Sequence, residues 1–483
     1  MAGSFTGAGY ALQPSAQQVT KASNYITDFN FLNQYLPDTY EKEFERYGNR
    51  TVSSFIRMVG AEMPSNSDLI KWAEQGRLHI KYVDCTTIVL TNADTATFTI
   101  NDALNPDRSA IGLTAGNYAI RVGQTVVISA NNGDGEYKAI VTAVGGTNNS
   151  EVTVAFYNAD GITNSAATNK WTIFIYGSEF KKGTNGMSDS LEADDEIFEN
   201  NPIILKDKYA VSGSDMAQIG WVEVTTENGA TGYLWYMKSE HETRLRFDDY
   251  LETAMIEAVP AEAGSGVANS TINPNYGNKG SEGVFYSVSD RGNLWSGGAP
   301  DALSEFDTII GRLDSQGAIE ENVIFLDRAF GFAIDDMLAE QNSYGTGGTS
   351  YGLFDNDENM ALNLGFSGFR RGYDFYKTDW KYLNDPTMRG QLATGSGSGQ
   401  INGLLVPAGS TTVYDQIMGK NAKRPFLHVR YRASQTEDRR YKTWITGSAG
   451  GAATSDLDAM EVNFLSERCV CTLGANNFVL FED

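Results

Sequence analysis

Hydrophobic residues recur at helical spacing in the stretch Tyr233–Val259, which contains neither Gly nor Pro. At about 1.5 Å per residue this stretch is a helical rod roughly 40 Å long. Opposite charges stand four residues apart in its N-terminal part, where each pair stabilises a helix by about 0.2–0.5 kcal/mol. Those pairs are Lys238/Glu242, Glu240/Arg244, Glu242/Arg246 and Arg244/Asp248. The predicted apolar stripe, which should pack on another surface, is Phe247, Tyr250, Leu251, Ala254, Met255 and Ala258.

A second pattern, short alternating runs between Gly/Asn turns, fills residues 91–177. The runs TATFTI, YAIRVGQTVVIS, YKAIVTAV, EVTVAFY and WTIFIYG are strand candidates. NNGDGE and GGTNN are typical of hairpin connections. These features predict a small all-β module, a barrel or a sandwich, and strands on both sides of it indicate that it is an insertion.

Residues 178–216 combine two extended arms with an acidic tip. The arms lie around Ile173–Phe180 and Ile203–Val211, and six acids fall between Asp189 and Glu199 with no base among them. We expect the arms to form a long two-stranded ribbon. Because an isolated ribbon is marginally stable in water, it should lie on a neighbouring molecule, although a solvated surface loop is the plainer alternative.

Helical and strand periods alternate after the rod. Asp301–Gln316 carries an apolar stripe and ends at Gly317. VIFLD is a buried strand, and Asp327 caps a helix over RAFGFAIDDMLAEQ. Further strand candidates are ALNLGFS, YDFYKTDW, NGLLVP, FLHVRYRA, RRYKTWIT, AMEVNFLSERCVCTL and NFVLFED. The mixture predicts an α+β fold.

The N-terminal region has weaker signals. Residues 1–35 are small, polar and aperiodic, and predict either an extended arm or a disordered tail. Asp38 and Glu41 resemble a capping box that begins the helix DTYEKEFERY. A second helix is predicted at Asp68–Gln75, ending at Gly76, and RLHIKYVDCTTIVL is predicted as a strand.

Composition narrows the class of protein. The chain has 483 residues, of which 41% are hydrophobic, and a net charge of −24. Such a charge repels phosphate at long range, so a nucleic-acid-binding role is disfavoured. The start of the chain has no basic residue before Lys21 and no apolar core, which argues against an export signal. We therefore expect a soluble protein that is made in a cytoplasm and has no membrane partner.

No motif assembles an active site, and we predict no catalytic, cofactor-binding or metal-binding residues and no cofactor. Asp194/Asp195, Asp248/Asp249 and Asp335/Asp336 are adjacent pairs that a solvated face explains better than a glycosidase pair. Asp355–Glu358 lacks the spacing and glycine of a calcium loop. Cys85, Cys469 and Cys471 form neither a disulfide framework nor a CxxC site, and we place Cys469 and Cys471 on opposite faces of their strand.

One basic cluster stands out, consisting of Arg430, Arg432, Arg439, Arg440 and Lys442. Alternation puts Arg430 and Arg432 on one side of a strand, which suits salt bridges with an acidic neighbouring subunit. DNA contact is the alternative use.

In sequence order, these segments resemble the major capsid protein of a tailed double-stranded DNA bacteriophage, which has the Hong Kong 97-type capsid fold. The resemblance lies in the ribbon from GSEFKKGTN to KDKYAVSGSD, the charged rod and the α+β block. It implies the following domains: 1–60, N-terminal arm and first helix; 61–90 and 217–290, peripheral domain with spine helix 233–259; 91–177, inserted β domain; 178–216, extended loop; 291–430, axial domain; 431–483, C-terminal strands returning to the axial and peripheral core.

The resemblance also implies a structural, non-enzymatic protein. Copies would form homo-hexamers and pentamers that close into an icosahedral shell, together with portal and accessory or decoration proteins. The shell would enclose double-stranded DNA without reading its sequence and would be assembled in the host cytoplasm as part of the virion. Some members of the family cross-link through a loop lysine, and Lys181 and Lys182 lie near the base of the ribbon here, without an identifiable partner.

Two other classes share parts of this composition. A tail or decoration component of a virion would be equally β-rich but would not need the rod beside the ribbon. A secreted carbohydrate-active enzyme would be equally Gly- and Tyr-rich and acidic, but it should carry an export signal and a spaced acid pair.

Overall fold

The computed structural model describes residues 61–77, 79–92, 94–103, 118–131, 135–146, 150–162, 170–188, 195–217, 223–225, 231–268, 278–343, 368–390, 400–415, 420–449 and 453–482. The predicted arm, the helix DTYEKEFERY, the strand ALNLGFS and the acidic run Asp355–Glu358 lie outside these residues.

The described residues contain both helices and strands, as predicted for an α+β fold. The helices are α1 (Gly213–Ala217), α2 (Leu234–Glu257), α3 (Val284–Arg291), α4 (Leu303–Gln316), α5 (Arg328–Ser343) and α6 (Lys381–Asn384). The strands of the N-terminal half are β1 (Ala61–Ser65), β2 (Ile70–Gln75), β3 (Lys81–Asn92), β4 (Thr95–Thr99), β5 (Asp102–Ala103), β6 (Gln124–Ala130), β7 (Glu136–Gly145), β8 (Glu151–Phe156), β9 (Lys170–Ser178), β10 (Asp195–Asn200), β11 (Ile203–Ser212), β12 (Glu223–Thr225) and β13 (Thr231–Tyr233).

The strands of the C-terminal half are β14 (Asn293–Trp295), β15 (Glu321–Leu326), β16 (Gly368–Arg371), β17 (Tyr373–Asp379), β18 (Ile401–Pro407), β19 (Ser410–Asp415), β20 (Lys420–Pro425), β21 (Leu427–Arg432), β22 (Lys442–Gly447), β23 (Ala459–Thr472) and β24 (Val479–Glu482).

Six strands close into an antiparallel barrel. Strand β3 pairs with β9 on one side and with β4 on the other, and the ring continues through β8, β7 and β6 back to β9. A closed barrel has no free strand edge. Its interior holds the inward-pointing residues, among them Tyr82, Phe98, Val126, Val154 and Trp171.

Strand β23 is the centre of a second sheet, which we call the peripheral sheet. Strand β11 pairs with one edge of β23, and β21 and β22 pair with the other edge, with β1 parallel to β21. Helix α2 lies across one face of this sheet. Phe247 and Leu251 of α2 pack with Tyr209, Val462 and Phe464 of the strands.

The third sheet, the axial sheet, has the strand order β14-β24-β18-β15-β17-β16. Helices α4 and α5 cover one face of it, where Phe306 and Ile334 pack with Ile324 and Phe375. A 3-10 turn at Ala475–Asn477 leads from β23 directly into β24, so one chain segment joins the two sheets. Between the sheets lies a shared core that includes Met255, Leu404 and Val470.

The predictions for this half of the chain are confirmed in detail. Helix α4 ends at Gly317, which has φ 72° in the left-handed region that favours glycine. The Asp327 carboxylate accepts the Phe330 N–H at 2.7 Å, so Asp327 does cap α5. The predicted strands over residues 373–379, 401–407, 427–432, 442–447 and 459–472 are present.

The predicted helix at Asp68–Gln75 is wrong, because Ile70–Gln75 is strand β2 and pairs antiparallel with β10. The run Lys71–Gln75 has adequate helix propensity, but so short a helix is marginal in water on its own. Alternate residues of β2 are half-buried, and the Trp72 ring lies 6.3 Å from that of Phe198 across the pair. Cross-strand packing therefore decides the local structure.

The pairing predicted for the ribbon is also wrong. Its two arms are extended, but the first belongs to β9 in the barrel and the second to β11 in the peripheral sheet. Part of the predicted segment does form a two-stranded ribbon, because β10 pairs with β2. It joins the peripheral sheet to the barrel, because β1 and β11 lie at one end of it and β3 and β9 follow at the other.

We predict that the barrel unfolds as its own unit. Trp171 is fully buried and makes edge contacts with Phe98 at 6.0 Å and Tyr137 at 6.2 Å. Trp171→Ala should lower the free energy of unfolding of the barrel by about 3–5 kcal/mol. Hydrogen exchange of the full chain should then be faster in the barrel strands and unchanged in the axial sheet.

The control is Phe174→Ala on the same strand, where the side chain is 40% exposed and little should change. Faster exchange in the axial sheet of the Trp171 variant would show that the barrel is not an independent unit.

Candidate assembly surfaces

The ribbon rests on the body of its own chain through one face. The Arg291 guanidinium lies 4.2 Å from the centroid of the Phe198 ring and 5.6 Å from that of Trp72. Its Nη2 is 3.2 Å from the Glu282 carboxylate, and Glu74 is a second acidic neighbour at 3.8 Å. Burial raises the pKa of Glu282, and Arg291 opposes that rise. The expectation that the whole ribbon lies on a neighbour is therefore wrong for this face.

The opposite face of the ribbon is open. Ile197 of β10 is 65% exposed and stands opposite Ala73 of β2. Lys71 and Glu199 form an ion pair at 2.8 Å beside it. Further along the same segment, Ile204 is 50% exposed. An exposed isoleucine beside a neutralised charge pair makes this face a candidate contact surface.

A buried asparagine fixes the base of the ribbon. The Asn200 amide nitrogen donates to the carbonyl oxygens of Val470 at 2.7 Å and Glu282 at 2.9 Å. Its side-chain oxygen accepts from the Ser281 hydroxyl and from the backbone N–H groups of Asn201 and Glu282. Asn200 is 2% exposed, so these bonds offset the cost of burying its polar atoms. They tie the chain between β10 and β11 to β23.

The predicted stripe of the long helix α2 is mostly confirmed. Phe247, Leu251 and Met255 are buried, whereas Tyr250 is 47% exposed and does not belong to the stripe. Glu240 and Arg244 form the predicted pair at 3.7 Å. Among the described residues, no helix is both long enough and apolar enough to cross a membrane.

One ion pair attaches α2 to the peripheral sheet, and another attaches it to the segment around α6. Arg246 contacts Asp207 on β11, with Nε 3.0 Å from the nearer carboxylate oxygen. At the other end of the helix, the Glu257 carboxylate accepts from Arg389 and from the Tyr382 hydroxyl, the latter at 2.7 Å. Burial, with Glu257 as a second cause, raises the pKa of Tyr382. The rod is therefore held near its middle and at its C-terminal end.

The basic cluster forms ion pairs within its own chain, contrary to the prediction that it suits an acidic neighbour. Arg432 contacts Asp68 and Glu467, and Arg439 contacts Glu467 at 2.6 Å. A second set joins β1 to the sheet, where Glu62 contacts both Arg440 and Arg468, the latter at 3.3 Å. Lys442 pairs with Glu437 at 2.7 Å.

The cysteines are free and buried. The placement of Cys469 and Cys471 on opposite faces is wrong, because residues two apart on a strand share a face. Cys471 stands opposite His428, and Cys469 opposite Arg430.

The interpretation of the acidic pairs as solvated faces is wrong for two of their members. Asp335 is buried and pairs with Lys377, and Asp249 is 7% exposed. Asp194 lies outside the described residues. Where side chains are described, no group of three His, Cys, Asp or Glu residues could hold a metal ion.

Sequence reasoning missed Asn200, Arg291 and Trp72. Each acts through a partner that is distant in the chain, so no local pattern marks it. The alternation of Ile70, Trp72 and Glu74 on one side with Lys71 and Ala73 on the other was the available signal for β2.

No protein-family model and no curated protein matches the chain. Solved structures do resemble it. A protein of Microbacterium phage Oxtober96 is 8% identical over 92% of this chain and 95% of its own, with a TM-score of 0.37. The capsid of a native GTA particle is 8% identical over 94% and 97%, with a TM-score of 0.36. The capsid of Cyanophage P-SCSP1u is 11% identical over 63% and 79%, with a TM-score of 0.33.

Two of these three neighbours are capsid structures. At TM-scores below 0.5 their likeness carries no weight for function, which is proposed below from the chain's own surfaces.

We predict that Asn200→Asp destabilises the peripheral sheet. An ionised carboxylate cannot donate to the carbonyls of Val470 and Glu282, and each buried group left unpaired costs about 1–3 kcal/mol. Denaturant unfolding of the unassembled subunit should show a loss of about 3 kcal/mol or more. Asn201→Asp, which changes the neighbouring residue in the same way, should cost less than about 0.5 kcal/mol. Equal losses for the two variants would contradict the assigned role.

We also predict that Arg291→Lys loosens the ribbon. Lysine keeps the charge but loses the planar group that stacks on Phe198 and Trp72, a contact worth roughly 1–2 kcal/mol when shielded from water. Amide exchange in β2 and β10 should become roughly tenfold faster.

The control is Arg312→Lys, whose guanidinium lies 5.9 Å from the Trp295 ring and is not stacked on Phe198 or Trp72. An unchanged exchange rate in β2 and β10 of the Arg291 variant would show that stacking of Arg291 on Phe198 and Trp72 does not hold the ribbon.

Proposed function

We propose that this chain is the major capsid protein of a tailed double-stranded DNA phage, with the Hong Kong 97-type fold. Copies would form hexamers and pentamers that close into the icosahedral shell of the virion, after assembly in the host cytoplasm. The observation that carries the proposal is a ribbon and a long helix, both anchored to one small sheet, with Ile197 left 65% exposed on the ribbon's outer face.

The domain assignment follows the three sheets. The peripheral sheet with α2 is the peripheral domain, the axial sheet with α4 and α5 is the axial domain, and the barrel is the inserted β domain. We place the extended loop at β2 and β10 rather than within residues 178–216 alone. The barrel is then an insertion at the tip of that loop, because both of its connections run through the ribbon.

Exposed apolar surface supports assembly. Ile197, Ile204, Phe332 and Tyr376 are each between 49% and 65% exposed. Single exposed residues are ordinary on a monomer, but Ile197 and Ile204 lie on the consecutive strands β10 and β11. Burial of such surface between copies would supply the large interfaces of an obligate assembly, which commonly exceed about 2,000 Å².

The net charge of the chain is consistent with a shell that encloses DNA. A net charge of −24 gives walls that repel phosphate, so a packed genome would be enclosed without adhering. The partners would be further copies of the chain, a portal, and accessory or decoration proteins, with no sequence-specific contact to DNA and no enzymatic role.

Electron microscopy of the purified full-length protein tests the proposal. It should show closed shells or ring-shaped capsomers. Tubes or fibres would favour a tail component, and isolated monomers at high concentration would contradict assembly.

We predict that Ile197→Asp blocks assembly of a folded subunit. The new carboxylate would be buried unpaired wherever the ribbon's outer face is covered, which costs several kcal/mol. Sedimentation should show particles for the native chain and subunits for this variant, with unchanged circular dichroism. Ile197→Val keeps the surface apolar and should assemble. Particle formation by the Asp variant would exclude this face from the interface.

A further inference from the structure

The barrel carries a cluster of exposed aromatic residues where its last strand leaves it. Tyr157 is 52% exposed, Tyr176 49% and Phe180 41%, and Val122 beside them is 46% exposed. We call these four residues the barrel-mouth patch.

Several contacts show that the patch is continuous. The Tyr157 hydroxyl donates to the Glu179 carboxylate, and the Glu179 N–H donates to the Gly123 carbonyl at 2.9 Å. The Phe180 ring covers Gly123, where an added Cβ atom would lie 2.5 Å from the ring. Glu179 raises the pKa of Tyr157 to about 12, and Tyr176 is close enough to contribute to that rise.

Charges of both signs border the patch. Glu179 lies within it, and Lys181 and Lys182 follow in a turn that is closed by the Thr184 N–H donating to the Lys181 carbonyl at 3.2 Å. Both lysines are exposed, and their ammonium groups contact no carboxylate of the described residues. A two-fold rotation places the acidic group of one copy opposite the basic groups of the other. An apolar surface bordered by one acid and two bases is therefore complementary to a second copy of itself.

We propose that the barrel-mouth patch packs against the same patch of a second copy of this chain. Phe180 and Val122 would lie near the two-fold axis, and Lys181 and Lys182 of each copy would face Glu179 of the other. Because the closed barrel has no free strand edge, the contact is made by side chains alone. The inference rests on the proposed function, since it requires copies that stand side by side.

The size of the patch explains why an assembly is needed. An aromatic side chain buries about 150–250 Å² when fully covered, so three half-exposed rings and a valine offer roughly 400 Å². A stable pair of free proteins commonly buries about 800 Å² on each partner. The contact should therefore form between assembled copies and not between dilute subunits.

Same-residue disulfide formation tests a two-fold contact. Native Cys85, Cys469 and Cys471 are buried and free, so they should not interfere. In oxidised particles of Val122→Cys, non-reducing gels should show covalent dimers, while unassembled subunits at equal concentration stay monomeric. The control is Glu136→Cys, an exposed position at the other end of the barrel, since Glu136 pairs with Ser129 and Gln124 with Ser178.

Each other outcome overturns the inference. If the Val122→Cys chains stay monomeric and a maleimide labels them in intact particles, the patch is uncovered. If they stay monomeric and the maleimide does not label them, something other than a second patch covers it. Equal dimer yields from both cysteine variants would show chance collision. If the native chain forms no particles, the proposed function itself fails, which is a distinguishable result.

Charge reversal gives a second measurement if Val122→Cys disturbs assembly. With cysteine placed instead at Ser178, an exposed residue that pairs with Gln124 at this end of the barrel, Lys181→Glu with Lys182→Glu should lower the dimer yield roughly tenfold, because like charges then meet across the axis. Adding Glu179→Lys restores opposite charges and should recover the yield. An unchanged yield in the first of these variants would contradict the charge pairing.

Discussion

The structure depends on strand β23 being paired along both edges. Strand β11 covers one edge and β21 and β22 the other, and the residues of β23 between them are almost all buried. A strand in that position cannot shift its register without moving its whole apolar set to the wrong face. The elements that pack on or pair with β23 therefore have defined positions relative to it.

Four features take their positions from this strand. Helix α2 packs on one face through Phe247, the Asn200 side chain bonds to the carbonyl of Val470, and Glu62 of β1 contacts Arg468. The fourth is the axial sheet, which receives the same chain as β24 after a single turn. The base of the ribbon is in this way fixed to the peripheral sheet. A chain with one covered ribbon face and one open face is suited to build an assembly in which the open face meets a neighbour.

Local periodicity predicted much of the fold. The helices α2, α4 and α5 and most of the barrel and sheet strands were predictable, because each has a clear period and an identifiable end such as Gly317 or Asp327. Long-range pairing was not predictable. The whole barrel lies between β2 and β10 in the sequence. Neither segment alone therefore indicates that Trp72 packs against Phe198. The same holds for three partners of the basic cluster, Glu62, Asp68 and Glu467, which are distant in the chain from the arginines they contact, whereas Glu437 is a local partner. The sequence indicated that the segment containing β10 belongs to a contact surface. It did not indicate which face of that segment is covered, because Arg291, which covers one face, lies far away in the chain.

The central claim is that the outer face of the ribbon is open in a single subunit and covered in the assembly. Hydrogen exchange of unassembled subunits and of assembled particles, measured side by side on the native chain, tests it most directly. The account predicts slower exchange on assembly in residues 195–204, with little change in the core of the axial sheet. Equal exchange of that segment in both states would show that no copy covers it, and the account of an assembly-forming surface would be wrong.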